Sequence, residues 1–286
     1  MKKNIFILCA LLVFPTLASA RVRYVDQNGS SGKFTTVQSA IDAAIDGDTV
    51  RIYPGIYPEQ VTIGKNIIVQ GGGALNTIIS VQTIQSGAVV TMTAGKLMWV
   101  GVTSSADGIS INVAKVNNCI VYSCTGNGLV CTGPNGNATN CIASGNNAGY
   151  MVENNGNLTA TNCIAINNRG KGFASCAFTN AYGTLTCRYC DASGNQGGEQ
   201  FTSGCMTETG DISTNPSISS DYRLSTSSPC VSGGAPTLLN LDASRSDMGY
   251  YGGPDAPLLP YVTLPGNIKL NPDGTITFDM LGKVGY

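Results

Sequence analysis

The sequence predicts an all-β chain folded as a right-handed parallel β-helix, a single-stranded solenoid of ~22-residue coils with a short N-terminal capping helix. Three observations predict it. Asn118-Cys119-Ile120-Val121 recurs 22 residues later as Asn140-Cys141-Ile142-Ala143, and after the same interval as Asn162-Cys163-Ile164-Ala165. Each copy is followed by an Asn- and Gly-rich turn and then a short apolar run, such as Gly128-Leu129-Val130 or Gly149-Tyr150-Met151-Val152. The stretch before the repeat reads as strands around one helix, as expected of an atypical capping coil.

Residues 1–20 have the pattern of a signal peptide. Lys2 and Lys3 precede a mostly apolar run to Leu17, and Ala18-Ser19-Ala20 supplies small residues at the cleavage positions. This predicts a secreted, periplasmic or cell-surface protein with a mature chain starting near Arg21. There is no other run of about 18 apolar residues, so no membrane span is expected. Charged residues make up 12% of the chain and the formal net charge is −1, which leaves no basic patch for nucleic acid. Histidine is absent, and with it the commonest general base and zinc ligand.

Residues 21–210 are predicted to form the β-helix, with residues 21–73 as its N-terminal cap. Thr35 or Thr36 can cap a helix running to Ala44, and Gly47 closes it. Strands follow at Asp48–Tyr53, Val61–Ile63 and Asn66–Val69, with Pro54-Gly55 as a turn. A leucine-rich repeat shares the 22-residue period but needs a helical segment, and Leu is scarce between residues 100 and 200.

Stacked coils place equivalent residues above one another. Cys119, Cys141, Cys163 and the degenerate Cys190 should therefore form a core column, in which a reduced thiol acts as a small hydrophobe. Val121, Ala143, Ala165 and Ala192 should form a second column on the same face. Asn118, Asn140 and Asn162 fit either an amide ladder or corners needing left-handed backbone. Ile120, Ile142 and Ile164 then form an outward apolar stripe, and a stripe of that kind calls for a cover. Residues 211–286 are expected to supply part of it.

The remaining cysteines lie off the column. Cys176 with Cys187 brackets a loop five residues longer than its predecessors and is the first disulfide candidate. Cys205 with Cys230 is the second, and Cys124 with Cys131 the third. The Cys187-Arg188-Tyr189-Cys190 spacing also fits a redox or metal motif, but no second such pair accompanies it.

Phe34-Thr35-Thr36-Val37-Gln38-Ser39-Ala40-Ile41-Asp42-Ala43-Ala44, followed by Gly47-Asp48-Thr49-Val50, Pro54-Gly55-Ile56-Tyr57 and Lys65-Asn66-Ile67, resembles the N-terminal cap of the pectin lyase-like superfamily, including pectin methylesterases. Asp221-Tyr222-Arg223-Leu224, Ser228-Pro229-Cys230 and Asp247-Met248-Gly249 resemble the closing segment of bacterial right-handed β-helix repeat proteins. Residues 211–254 are accordingly read as that closing segment. Residues 255–286 lie outside both resemblances. There Asn271-Pro272-Asp273-Gly274 predicts a β-hairpin between Ile268–Leu270 and Thr275–Phe278.

The resemblance implies an extended polysaccharide or cell-surface glycan as partner, bound along a flank of the helix. The Asp, Arg and Gln motifs of pectin methylesterases are missing after Gly73, and polygalacturonase-type hydrolases need a His-containing motif. Pectate lyases hold Ca²⁺ with acidic residues beside an Arg or Lys base. By that analogy Arg188, Lys171 and Asp191 are the catalytic candidates, and Ca²⁺ would be required only in that case; otherwise no cofactor is expected. Glu153, Arg169 and Tyr150 are the ligand-binding candidates. The same charges also fit plain solvated corners, and Trp99, Tyr122, Tyr150 and Tyr182 fit sugar stacking or packing. Three readings follow. The chain is a non-catalytic polysaccharide-binding module, a lyase acting on acidic glycans, or an adhesin-like structural protein.

Overall fold

In the computed structural model the chain coils through about six turns of parallel strands. The structure describes residues 19–29, 32–83, 87–175, 183–197, 201, 205–208 and 210–257, together with the backbone of 259–262, 268–270, 276–278 and 282–285. The first eighteen residues, which carry most of the predicted signal peptide, fall outside these, as do Cys176, Tyr182 and residues 271–274, where a turn is predicted.

Three sheets form the walls of the solenoid. The nine-stranded sheet comprises Val22–Val25, Thr49–Ile52, Ile68–Gln70, Lys96–Met98, Lys115–Asn117, Gly136–Thr139, Asn157–Thr161, Thr184–Arg188 and Cys205–Thr207. The seven-stranded sheet comprises Gly55–Tyr57, Thr77–Val81, Gly101–Ser104, Ile120–Tyr122, Ile142–Ser144, Ile164–Ile166 and Asp191–Ser193. The six-stranded sheet runs from Val61–Ile63 through Ala88–Met92, Asp107–Ile111, Leu129–Cys131 and Tyr150–Val152 to Phe173–Ser175. All pairings within them are parallel, and successive coils stay in register: Ile120 opposes Ile142, Ile142 opposes Ile164, and Ile164 opposes Asp191. The fold is an all-β right-handed parallel β-helix.

Among the described residues there is one helix, Val37–Ala43, seated on the open end of the core through Val37, Ala40 and Ile41. Thr36 caps it, its side chain accepting from Ser39 N at 3.3 Å. The Glu59 carboxylate takes Val37 N and Gln38 N at 2.7 and 2.9 Å, satisfying two more of the donors that a helix start leaves open. At the other end Lys65 Nζ donates to the carbonyls of Ile41, Asp42 and Ala44. So short a helix is held by these contacts rather than by propensity.

Inside the coils, side chains stack by type. Cys119, Cys141, Cys163 and Cys190 are buried at the corner leading into the seven-stranded sheet. Each thiol reaches a carbonyl of the coil before it: Leu97 O at 3.8 Å, Val116 O at 3.3 Å, Ala138 O at 3.4 Å and Ala160 O at 3.3 Å. Burial pushes the Cys119 thiol up to about 12. Val121, Ala143, Ala165 and Ala192 oppose one another in the same core. An amide ladder also runs through the structure, but on Asn146, Asn168 and Asn195. Asn146 N donates to Asn168 Oδ1 and Asn168 N to Asn195 Oδ1, while the side-chain amides donate to Val121 O, Ala143 O and Ala165 O. These bonds satisfy polar groups that would otherwise be buried unpaired.

Asn118, Asn140 and Asn162 sit at the corner of the cysteine column, one residue before each cysteine, with φ of 46°, 52° and 53°. Of the residues with side chains, Asn is among those that best tolerate this left-handed backbone. Their amides turn outward to the chain that returns over the seven-stranded sheet. Asn118 Nδ2 donates to Tyr250 O and Gly252 O, Asn140 Nδ2 to Asp247 O and Gly249 O, and Asn162 Nδ2 to Ser246 Oγ. Only one bond, Asn162 Nδ2 to Asn140 Oδ1 at 3.4 Å, runs between the amides themselves.

The returning chain covers the isoleucine stripe. Ile120, Ile142 and Ile164 are 0–1% exposed and cluster with Ala74, Cys230, Met248 and Tyr250. Tyr250 OH accepts from Ala74 N at 2.7 Å at the far end. Farther along the chain, Leu259–Val262 pairs antiparallel with Gly282–Gly285, and Ile268–Leu270 with Ile276–Phe278.

Two proposed disulfides do not fit this architecture. Cys187 is a free thiol buried in the core. Cys205 packs against the same core, its Sγ 3.3 Å from Phe173 O. Cys230 is a free thiol outside the seven-stranded sheet, 3.3 Å from Asp191 Oδ2, so a sheet separates it from Cys205. Cys124 and Cys131 are likewise separate free thiols. The Cys176–Cys187 pairing involves a residue outside the described set.

Candidate functional site

The charged candidates of the last regular coils are not brought together. Arg188 lies on the outer face of the nine-stranded sheet and pairs with Glu208 at 3.0 Å, both half exposed. Asp191 occupies the isoleucine register one coil beyond Ile164 and is buried under the returning chain. It accepts from Thr214 N and from the Cys230 thiol. Burial, only partly offset by those bonds, pushes its carboxyl up to about 6.

Arg169 spends its guanidinium on the corner carbonyls of Gly145, Cys124 and Thr125, and Lys171 lies on the same corner. Glu153 follows the six-stranded sheet on another corner, its carboxyl raised by burial and by the Asp107 charge. Tyr150 is interior rather than a surface platform. Its ring stacks on Phe173 at 4.7 Å, and Phe173 in turn on Phe201 at 5.1 Å. Tyr122 lies beneath the returning chain. Solenoid geometry explains the separation, because residues a few positions apart in one coil face different walls.

The outer face of the nine-stranded sheet makes a different site. Its strands alternate inward apolar residues with outward polar ones, as a half-buried sheet must. Parallel register aligns Ile68, Lys96, Lys115, Asn137, Thr159 and Thr186 in one outward column. A second column carries Gln70, Met98, Asn117, Thr139, Thr161 and Arg188. Nine strands at about 4.8 Å spacing make this face ~38 Å long. Two cavities, of about 540 and 280 Å³, open onto it and share Lys115 and Asn137.

Lys96 and Lys115 are direct register partners, and like charges so placed repel. Lys96 is offset by Asp255 at 2.7 Å, whose Oδ2 also accepts from Asn117 Nδ2 at 2.7 Å. Desolvation would raise the Asp255 carboxyl, but Lys96 and Asn117 outweigh it and hold it below the usual carboxylate value. Trp99 Nε1 anchors this point of the returning chain by donating to Asp255 O at 2.7 Å. Lys115 is exposed, and its ammonium has neither a hydrogen bond nor an ion pair with any other described residue.

The 540 Å³ cavity ends at Asp48, whose carboxylate is committed to Arg21 N, Ile45 N and Arg23 Nε. The backbone bonds lead in holding its pKa down. Among the described residues no group of three or more His, Cys, Asp or Glu is arranged to hold a metal ion. The two carboxylates lining the groove are both engaged, so its residues do not fit the Ca²⁺ that a lyase reading would require.

No family model matches the sequence, and no curated protein does either. Among solved structures the chain is similar to the pectate lyase Pel9A, with a TM-score of 0.48 and 16% identity over 82% of this chain and 97% of that one. It is similar to a pectin methylesterase solved in complex with hexasaccharide VII, at TM-score 0.47 and 14% identity over 73% of this chain and 94% of the other. Pectin methylesterase PemA from Erwinia chrysanthemi gives 0.44 and 13% over the same shares. No helix among the described residues is long and apolar enough to cross a membrane.

Proposed function

We propose that this is a secreted or cell-surface module that binds an acidic polysaccharide along the outer face of its nine-stranded sheet, without transforming it. One observation carries the reading. A straight polar face of hydroxyls and amides holds two register-paired lysines, one of them unengaged, in a chain whose net charge is −1. Such a surface offers an extended ligand one equivalent set of contacts per coil. Lysine and amide donors select carboxylate-bearing units over neutral ones. Neither cavity presents an unengaged carboxylate to pair with a base, which favours binding over lyase chemistry.

Titration calorimetry with polygalacturonate and with its fully methyl-esterified form tests this. The charged polymer should bind and the ester should not. Lys115→Gln should weaken binding about tenfold, the worth of one charge-assisted contact. Equal binding of both polymers would defeat the reading. Appearance of the ultraviolet absorbance of unsaturated uronates would establish a lyase instead.

A further inference from the structure

The solenoid repeats its surface chemistry by translation, and one rung of the groove is already filled by the chain itself. A rung consists of an outward residue on one strand and, on the next strand, the residue two positions past its register partner. Lys96 and Asn117 form such a rung, and both donate to the single oxygen Oδ2 of Asp255. Moving one coil along gives Lys115 with Thr139, in the same relation. The same lysine stands at the first position, and a hydroxyl replaces the amide at the second. The 280 Å³ cavity lies over this second rung, lined by Lys115, Asn117, Asn137 and Thr139, with Pro254 and Asp255 as its wall.

Resting on the function proposed above, we infer that the Lys115–Thr139 rung is a subsite for one ligand carboxylate, and that Asp255 is an internal competitor that fills the neighbouring Lys96–Asn117 rung. Two points support it. Asp255 shows that this pairing, at this register, accepts a carboxylate with two bonds of 2.7 Å. Asp255 is also held from outside the groove, through Trp99 Nε1 on its backbone carbonyl, so its side chain can yield the rung while the returning chain stays in place. With Asp255 seated, an acidic chain engages one lysine; with it displaced, two adjacent ones.

Binding of a galacturonic acid hexamer to the full chain, followed by calorimetry, separates the outcomes. Asp255→Asn should tighten binding about tenfold by releasing Lys96, and the methyl-esterified hexamer should gain nothing. Thr139→Val, which leaves the returning chain untouched, should weaken binding about threefold, on the scale of one neutral hydrogen bond. If the hexamer binds and Lys115→Gln weakens it while Asp255→Asn does not tighten it, the competitor is refuted and the binding function stands. If it binds and both Lys115→Gln and Thr139→Val are without effect, the subsite is refuted. If neither the wild type nor Asp255→Asn binds, the proposed function falls with it. Unchanged hydrogen exchange of residues 230–252 in Asp255→Asn shows that a gain does not come from loosening the returning chain.

Discussion

Two flanks of this helix share a register and have opposite fates. On the seven-stranded sheet the outward column is Ile120, Ile142 and Ile164, and it is sealed by the returning chain to 0–1% exposure. On the nine-stranded sheet the outward columns are mostly lysine, asparagine and threonine beyond Ile68 and Met98, and two cavities open onto them. The backbone is the same in both, so the difference lies in the side chains that face out. An apolar column gains roughly 25 cal/mol for each Å² taken from water and recruits a cover. A polar column gains nothing from being covered and remains available to a ligand.

The largest expected effect comes from breaking the sealed flank. Ile142→Asp puts an unpaired charge beneath Gly249 and Tyr250 and should cost about 4 kcal/mol or more. Denaturant unfolding measures it, and hydrogen exchange should show residues 230–252 opening first. Ile142→Ala, which only leaves a void, should cost about 2–4 kcal/mol. The matched change on the open flank, Asn137→Asp, should alter stability by less than about 0.5 kcal/mol. Equal costs on the two flanks would contradict the contrast.

Next come the corner asparagines that tie the cover down. Asn140→Ala loses an αL-tolerant residue at φ 52° and two bonds to the cover, while Asp247 O keeps Ser246 Oγ and Gly249 O keeps Gly252 N as donors, for about 2 kcal/mol in denaturant unfolding. Asn140→Gly keeps the backbone preference and loses only the amide, so it should recover about 1 kcal/mol of that. An equal loss in the two variants would mean that the amide alone matters.

The sealed flank was the easier to read in the sequence. The strict 22-residue interval put Cys, Ile and Asn each in a column, and an outward isoleucine needs a cover. What the spacing left open was the job of the asparagines, which bond the returning chain rather than one another. The open flank was harder because its key residues precede the strict repeat. Lys96 and Lys115 are only 19 residues apart, and Trp99 stands at the left-handed corner where later coils have Asn. Arg188 and Asp191 look adjacent in sequence, yet a corner turns one onto the open flank and the other beneath the cover. Asp255, 159 residues from Lys96, had no local signal at all.

Two carboxylates, one on each flank, give the finest test because their pH responses run in opposite directions. Asp191, buried under the cover, has its carboxyl raised from 3.8 to about 6. The folded state therefore holds that proton more tightly than the unfolded chain. Its contribution is complete below pH 4 and is lost as pH rises to about 6, a swing of about 2–3 kcal/mol. Asp255 on the open flank is lowered by Lys96 and Asn117, so its contribution is present above the unfolded value and is lost as pH falls through the folded one. Solvent screens it, and the effect should be the smaller of the two. Unfolding free energies between pH 3 and 7 should therefore flatten in opposite limbs. Asp191→Asn should remove the decline between pH 4 and 6, and Asp255→Asn should soften the fall at the acid end. A decline between pH 4 and 6 that survives in Asp191→Asn would mean that another buried acid carries it, and Asp211, raised by its own burial beside Cys190, would be the next to replace.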